Sequence, residues 1–211
     1  MITELSQLDV TKQYTYADYL TWRIQERIEL LWGRIMKMGP APSLKHQQVS
    51  GALYRDFANF FRNKPCQVFH APFDVRLGEE NKDDTSVNSV VQPDIVVVCD
   101  EKKLDEKGCN GAPYLVIEIL SPSSSTKDLK HKYNLYEQSG VPEYWVVDPH
   151  DGTVQVFILE ENGKYRVNKP LTAEDKVESE KIRGLSIDLS EIFMDILKEA
   201  EEPYGKNVVR L

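Results

Sequence analysis

Five side chains in this 211-residue sequence combine a reactive chemical type with an expensive setting. Asp94 heads the apolar run Ile95-Val96-Val97-Val98, and Glu118 sits inside Leu115-Val116-Ile117-Glu118-Ile119-Leu120. Side chains alternate along a strand, so Glu118 shares a face with Val116 and Leu120. A buried, unpaired carboxylate costs several kcal/mol, and something must compensate for it. A divalent cation is one answer, because Mg²⁺ takes oxygen ligands and binds through one or two carboxylates. An arginine partner is the purely structural answer, and Glu118 alone does not choose between them.

Lys132 weights the choice toward chemistry. The segment after Glu118 carries an apolar helical stripe at Leu129, Tyr133 and Tyr136, with Leu135 beside it. Lys132 lies three residues after Leu129 and four before Tyr136, along that stripe. It either snorkels past the sheet or points into the pocket of Glu118. There it would neutralise phosphate charge or position a water. Tyr133 and Tyr136 read most simply as core packing. His46 precedes Val49 by three residues and Leu53 by seven, on the inner side of its own helix. A satisfied core histidine is the commoner outcome for such a residue. Glu29, in Arg27-Ile28-Glu29-Leu30-Leu31-Trp32, alternates onto the face opposite Ile28 and Leu30. It is either a further acid at the site or a surface residue. Asp74 is one more candidate, with its strand register left open.

The elements that must carry these residues follow from periodicity and punctuation. Thr15 to Leu20 opens a short helix with a capping-box pattern. Arg27 to Met38 forms a strand pair turned at Gly33, and Gly39-Pro40-Ala41-Pro42 ends it. Ser43 to about Asn63 is a helix whose apolar face runs through Val49, Leu53, Phe57, Phe60 and Phe61. Gln67 to Leu77 is a strand candidate, followed by a polar loop from Gly78 to Ser89. The runs at 95–98 and 114–120 are too continuous for a one-sided sheet and should be covered on both faces. A helix capped by Ser125 runs to about Ser139, and Glu143 to Asp148 is the next strand. Strand, helix, strand in that order predicts a parallel crossover. Thr153 to Val167 is a hairpin turned at Glu161-Asn162-Gly163, and Leu189 to Glu201 a final amphipathic helix. The expected organisation is a lead-in over 1–14, one domain over 15–198 and a tail over 199–211. Its class is α/β of the α+β type, with a central mixed β-sheet flanked by helices.

Composition removes several functions. The 26 basic and 34 acidic residues leave a net charge of −8, which argues against coating nucleic acid by bulk charge. That acidity is concentrated in 79–110 and 160–202, whereas 41–65 is locally basic through Lys45, Arg55, Arg62 and Lys64. A basic rim beside an acidic pocket is therefore compatible with the total. No run reaches the 18 apolar residues of a membrane-spanning helix, and the first residues lack signal-peptide features. The cysteines at 66, 99 and 109 show no CxxC and read as reduced thiols of a cytoplasmic protein. GxSxG, HExxH and GxxxxGK[ST] do not occur, so the usual marks of serine hydrolases, zinc proteases and P-loop NTPases are missing. Cys99 follows a strand as a nucleophile could, but no histidine is placed by sequence to pair with it.

Pro93-Asp94, then 23 intervening residues, then Glu118 in a hydrophobic strand followed by a helix, resembles the PD-(D/E)xK nuclease superfamily. The stretches VQPDIVVV and YLVIEILSPSSSTKDLKHKYNLYEQSGVPEYWVVDP resemble more closely the Uma-type, restriction-endonuclease-like bacterial family. EILSPSS, K-Y-x-L-Y, GVPEYW and VDP carry that resemblance, which spans roughly residues 15–170. It implies a restriction-endonuclease-like core and metal-dependent hydrolysis of a phosphodiester. Asp94 and Glu118 would be the metal ligands, with Mg²⁺ or Mn²⁺ as cofactor. The superfamily lysine belongs two residues after Glu118, where this chain has Leu120. Lys132 is the expected substitute, and His46 and Glu29 match positions where the family's N-terminal elements carry similar residues. The implied partner is nucleic acid, DNA before RNA, with no membrane. A homodimer is expected, because cutting two strands usually takes two sites. The alternative is a catalytically inactive module that keeps the fold and binds or interacts.

Overall fold

The apolar runs become neighbouring central strands, and the helices that cover them bring in the polar side chains. The computed structural model describes residues 1–39, 41–78, 83–121 and 126–194. In chain order, helix α1 (Tyr16–Tyr19) precedes the hairpin β1 (Ile28–Leu31) and β2 (Arg34–Lys37), and α2 (Leu44–Phe61) follows. Next come β3 (Gln67–His70), β4 (Val75–Leu77), β5 (Ser89–Val91), β6 (Ile95–Val98), β7 (Leu104–Asp105), β8 (Gly108–Asn110) and β9 (Leu115–Ile119). Helix α3 (Thr126–Gln138) leads to β10 (Glu143–Asp148), β11 (Thr153–Leu159), β12 (Tyr165–Val167), β13 (Leu171–Thr172), β14 (Lys176–Glu178), β15 (Ser186–Asp188) and α4 (Leu189–Ile192).

The expected mixed sheet is the seven-stranded one, in the order β12-β11-β10-β9-β6-β3 with β13 on β11. Strands β9 and β10 pair parallel through the α3 crossover, and the rest of that path is antiparallel. Helix α2 covers one face. Val49, Leu53, Phe57 and Phe61 recur every four residues and pack with Ile95, Val97, Leu115, Ile117 and Trp145. Each such fully buried side chain is worth about 1.5–3 kcal/mol. Helix α3 covers the other face, where Leu135 and Tyr136 pack with Val96, Val98, Val116 and Tyr144. Burial on both faces is why these strands read as continuous apolar runs.

A second, six-stranded sheet runs in the order β2-β1-β5-β4-β8-β7; the sequence expectations contained its β1–β2 strand pair but not the sheet. Its strands are mostly two to four residues long, too short to show a period. The segment from Gln67 to Leu77 is two strands rather than one: β3 joins the seven-stranded sheet and β4 the six-stranded one. Pro72 lies between them and has no backbone N–H for a ladder. The two-residue turn of the β1–β2 hairpin puts both Trp32 (φ 50°) and Gly33 (φ 76°) in the left-handed region. The helix expected over 189–201 is the short α4 as far as the described residues go, and the Ser125 cap lies outside them. Among the described residues, no helix is long and apolar enough to cross a membrane.

The cysteine expectation needs correction. Cys66 and Cys99 form a disulfide. The antiparallel register that pairs Gln67 with Val98 sets Cys66 opposite Cys99 one step further on. Only Cys109 stays free, buried, with its thiol pushed up to about 12 by burial. The cysteine argument for a cytoplasmic protein therefore loses its premise.

Candidate active site

Register alone brings the two central carboxylates together. β6 and β9 run antiparallel, with Ile95 opposite Ile117 and Val96 opposite Val116. One step beyond the ladder sets Asp94 opposite Glu118. The Asp94 carboxylate accepts the Ile119 N–H through Oδ2 at 2.7 Å, which ties the start of one strand to the end of the other. Its Oδ1 lies 3.4 Å from Nε2 of His46, in the first turn of α2. Ser43 caps that turn by accepting the His46 N–H at 3.3 Å. Helix α2 thus places His46 at the Asp94 end of β6. The His46 Nδ1 is buried and has no hydrogen-bond partner among the described residues.

Glu118 alternates toward α3, as its strand phase requires, and meets Lys132 there. The Lys132 ammonium donates to Glu118 Oε1 at 2.8 Å and to Glu29 Oε1 at 3.0 Å. Glu29 is 2% exposed, so it is not a surface residue. Its neighbours Ile28 and Leu30 pack on the opposite face of β1. The backbone N–H of Gln92 also donates to Glu29 Oε1, at 2.8 Å. Tyr136, one helical turn after Lys132, donates its hydroxyl to Glu118 Oε1 at 2.6 Å.

The electrostatics follow from this crowding. Burial pushes the Glu118 carboxyl up, the charges of Asp94 and Glu29 push the same way, and Lys132 opposes them. Burial would lower Lys132, but Glu118 and Glu29 outweigh it and hold the ammonium protonated. His46 is likewise depressed by burial and lifted above its ordinary value by Asp94.

Glu29, His46, Asp94, Glu118 and Lys132 all line one cavity of about 150 Å³. The five residues singled out in the sequence therefore converge, although they come from three strand regions and two helices. Arg27 and Lys37 stand at the same wall, and Leu120 occupies part of it. Asp74 does not line the cavity. It accepts from Tyr16 at 2.9 Å and from the Gln92 side chain at 2.8 Å, and so supports the site from behind. Gln92 and Tyr136 were not among the sequence candidates. Tyr136 carried a signal, because four residues after Lys132 on a helix is the same face. Gln92 acts partly through its backbone, which residue type does not encode.

The donor set fits a hard cation. Three carboxylates stand around the Lys132 ammonium, with Arg27 and Lys37 at the same wall, and Lys132 and Tyr136 both act on the same oxygen of Glu118. Among the described residues, no group of three or more histidine, cysteine, aspartate or glutamate side chains stands arranged as a metal cluster. Two carboxylates suffice for Mg²⁺, which usually keeps several waters.

Comparison with known proteins places the chain. An uncharacterized protein of Synechocystis, slr1290, is 25% identical over 179 residues, covering 83% of this chain and 89% of that protein. A crystal structure described as a "putative nuclease belonging to DUF820" from Anabaena variabilis superposes with a TM-score of 0.65 at 20% identity. It covers 86% of this chain and 98% of that one, and it establishes the shared fold. The family model named Uma2, described as "Putative restriction endonuclease", matches residues 16–190. With that match spanning most of its length, the chain belongs to the Uma2 family of restriction-endonuclease-like proteins.

Proposed function

We propose that this protein is a divalent-metal-dependent nuclease that hydrolyses phosphodiester bonds of nucleic acid. The observation that carries the reading is the convergence of Asp94, Glu118 and Lys132 on one cavity, with the Lys132 ammonium 2.8 Å from Glu118. Asp94 and Glu118 would hold Mg²⁺ or Mn²⁺. When bound, such a cation polarises the phosphoryl group and lowers the pKa of an attacking water. Lys132 fills the place of the motif lysine that Leu120 vacates, and its fixed positive charge faces where charge develops on the phosphate. Glu29 holds Lys132 from the far side, and His46 holds the Asp94 carboxylate. Arg27 and Lys37 at the cavity wall supply phosphate contacts despite the acidic total. DNA is the first substrate to offer, and a homodimer would supply two sites for two strands.

The test is cleavage of DNA and RNA panels with Mg²⁺ or Mn²⁺, by wild type and Asp94→Ala. Metal-dependent cleavage lost in Asp94→Ala supports the reading. A wild type that neither cuts any substrate nor binds metal leaves the interaction module standing. Leu120 in the cavity wall, and a Lys132 already engaged by two carboxylates, favour that second reading.

A further inference from the structure

The proposed reaction leaves without a role the one side-chain hydroxyl that bonds Glu118, that of Tyr136. The Tyr136 hydroxyl lies in the core, its ring fully buried and packed edge-on against Tyr144 at 4.9 Å. A phenylalanine would fill the same apolar space. What the hydroxyl adds is its 2.6 Å bond to Glu118 Oε1, the atom that Lys132 also binds. Tyr133, on the same helix, differs: its hydroxyl bonds Glu137, away from the cavity.

A glutamate has three side-chain torsions, and its terminal one is soft. A single donor on Oε1 would still let the carboxylate swing about that contact. Two donors converging on Oε1 from successive turns of α3 fix the plane of the group. They also leave Oε2 as the oxygen for a cation. The phenol suits this task because it has two torsions and both are locked by packing. Partners that orient metal ligands in this way commonly change metal affinity 10–100-fold when removed.

We infer that Tyr136 is a positioning residue that, with Lys132, clamps one oxygen of Glu118 so that the other is presented to the metal. The inference rests on the metal reading above. The experiment is a calorimetric Mn²⁺ titration, without nucleic acid, of wild type, Tyr136→Phe, Tyr133→Phe and Glu118→Ala. The expected result is roughly tenfold or greater weakening in Tyr136→Phe, wild-type affinity in Tyr133→Phe, and loss of binding in Glu118→Ala. A Tyr136→Phe protein that melts lower but binds Mn²⁺ as tightly as wild type overturns the inference, because packing alone then explains the residue. Wild-type binding that does not depend on Glu118 overturns the metal reading itself, and the inference falls with it. Should Tyr136→Phe not fold, the wild type supplies the second measurement. Saturating Mn²⁺ should perturb tyrosine near-ultraviolet absorbance by drawing charge from Glu118, and a flat difference spectrum overturns the inference.

Discussion

Replacing Lys132 with methionine removes one ammonium and strands two buried carboxylates. Both Glu29 Oε1 and Glu118 Oε1 touch the same nitrogen, at 3.0 and 2.8 Å. The two oxygens can therefore be no more than about 6 Å apart. At an effective dielectric constant of about 20, two fully ionised carboxylates at about 6 Å repel by roughly 3 kcal/mol, an upper bound that protonation of Glu118 near neutrality lowers. That agrees with the 3–5 kcal/mol typical of breaking a buried ion pair on one side. For a chain of this size the loss corresponds to a fall of roughly 6–20 °C in melting temperature. Adding Glu29→Gln should recover about half or more of the loss, because it removes the repulsion while keeping an acceptor for the Gln92 N–H. The assay is urea unfolding at pH 7 in EDTA, with the four proteins forming a double-mutant cycle. A Lys132→Met protein within about 1 kcal/mol of wild type would refute the bridging geometry, as would strict additivity with Glu29→Gln.

The pH dependence has a definite sign. Glu118 titrates above its ordinary value of 4.5 in the folded state. Its protonated form thus favours folding, fully below 4.5 and progressively less as pH rises through the raised value. The Lys132→Met deficit should accordingly shrink on acidification toward 4.5 and grow toward neutrality. Lys132 is raised above 10.5, so the stability that its charge contributes holds below 10.5 and is lost only above it.

Other expectations bear on the fold around the site. Glu143 is fully buried and accepts from Trp145 Nε1 at 2.7 Å, Ser179 Oγ at 2.6 Å and the Lys181 N–H at 3.1 Å. Glu143→Ala should cost about 2–4 kcal/mol by orphaning three donors, measurable by urea unfolding; a loss under about 1 kcal/mol would contradict the buried network. Thiol titration of the unfolded, unreduced protein should find one reactive cysteine, Cys109, and three would contradict the Cys66–Cys99 bond. In the native protein at pH 8, Cys109 should resist alkylation, because burial raises its thiol from 9.0 to about 12. Its contribution to stability is full below 9.0 and disappears as pH climbs toward about 12.

Long apolar elements were legible because their pattern is a direct consequence of burial. The runs at 95–98 and 114–120 declared a two-sided core, and the four-residue spacing from Val49 to Phe61 declared the helix that covers it. Short strands such as β5, β7 and β8 were not legible, because two or three residues cannot display a period. The 67–77 segment was misjudged for a different reason. Both halves favour extended backbone, and only their pairing partners assign β3 and β4 to separate sheets.

The site divides along the same line. Residue type and strand phase alone determined that Asp94 and Glu118 were carboxylates in costly positions, and helical phase alone placed Lys132 on an inward stripe. The tertiary structure decided which of these meet. The β6–β9 register sets Asp94 opposite Glu118, and the α3 crossover lowers Lys132 and Tyr136 onto one oxygen. The second sheet delivers Glu29 to the far side of the same ammonium. That contact joins residues 103 positions apart, and no local period in a sequence can encode a distance of that kind. The disulfide has the same origin, since the cysteines at 66 and 99 become partners only when β3 and β6 align.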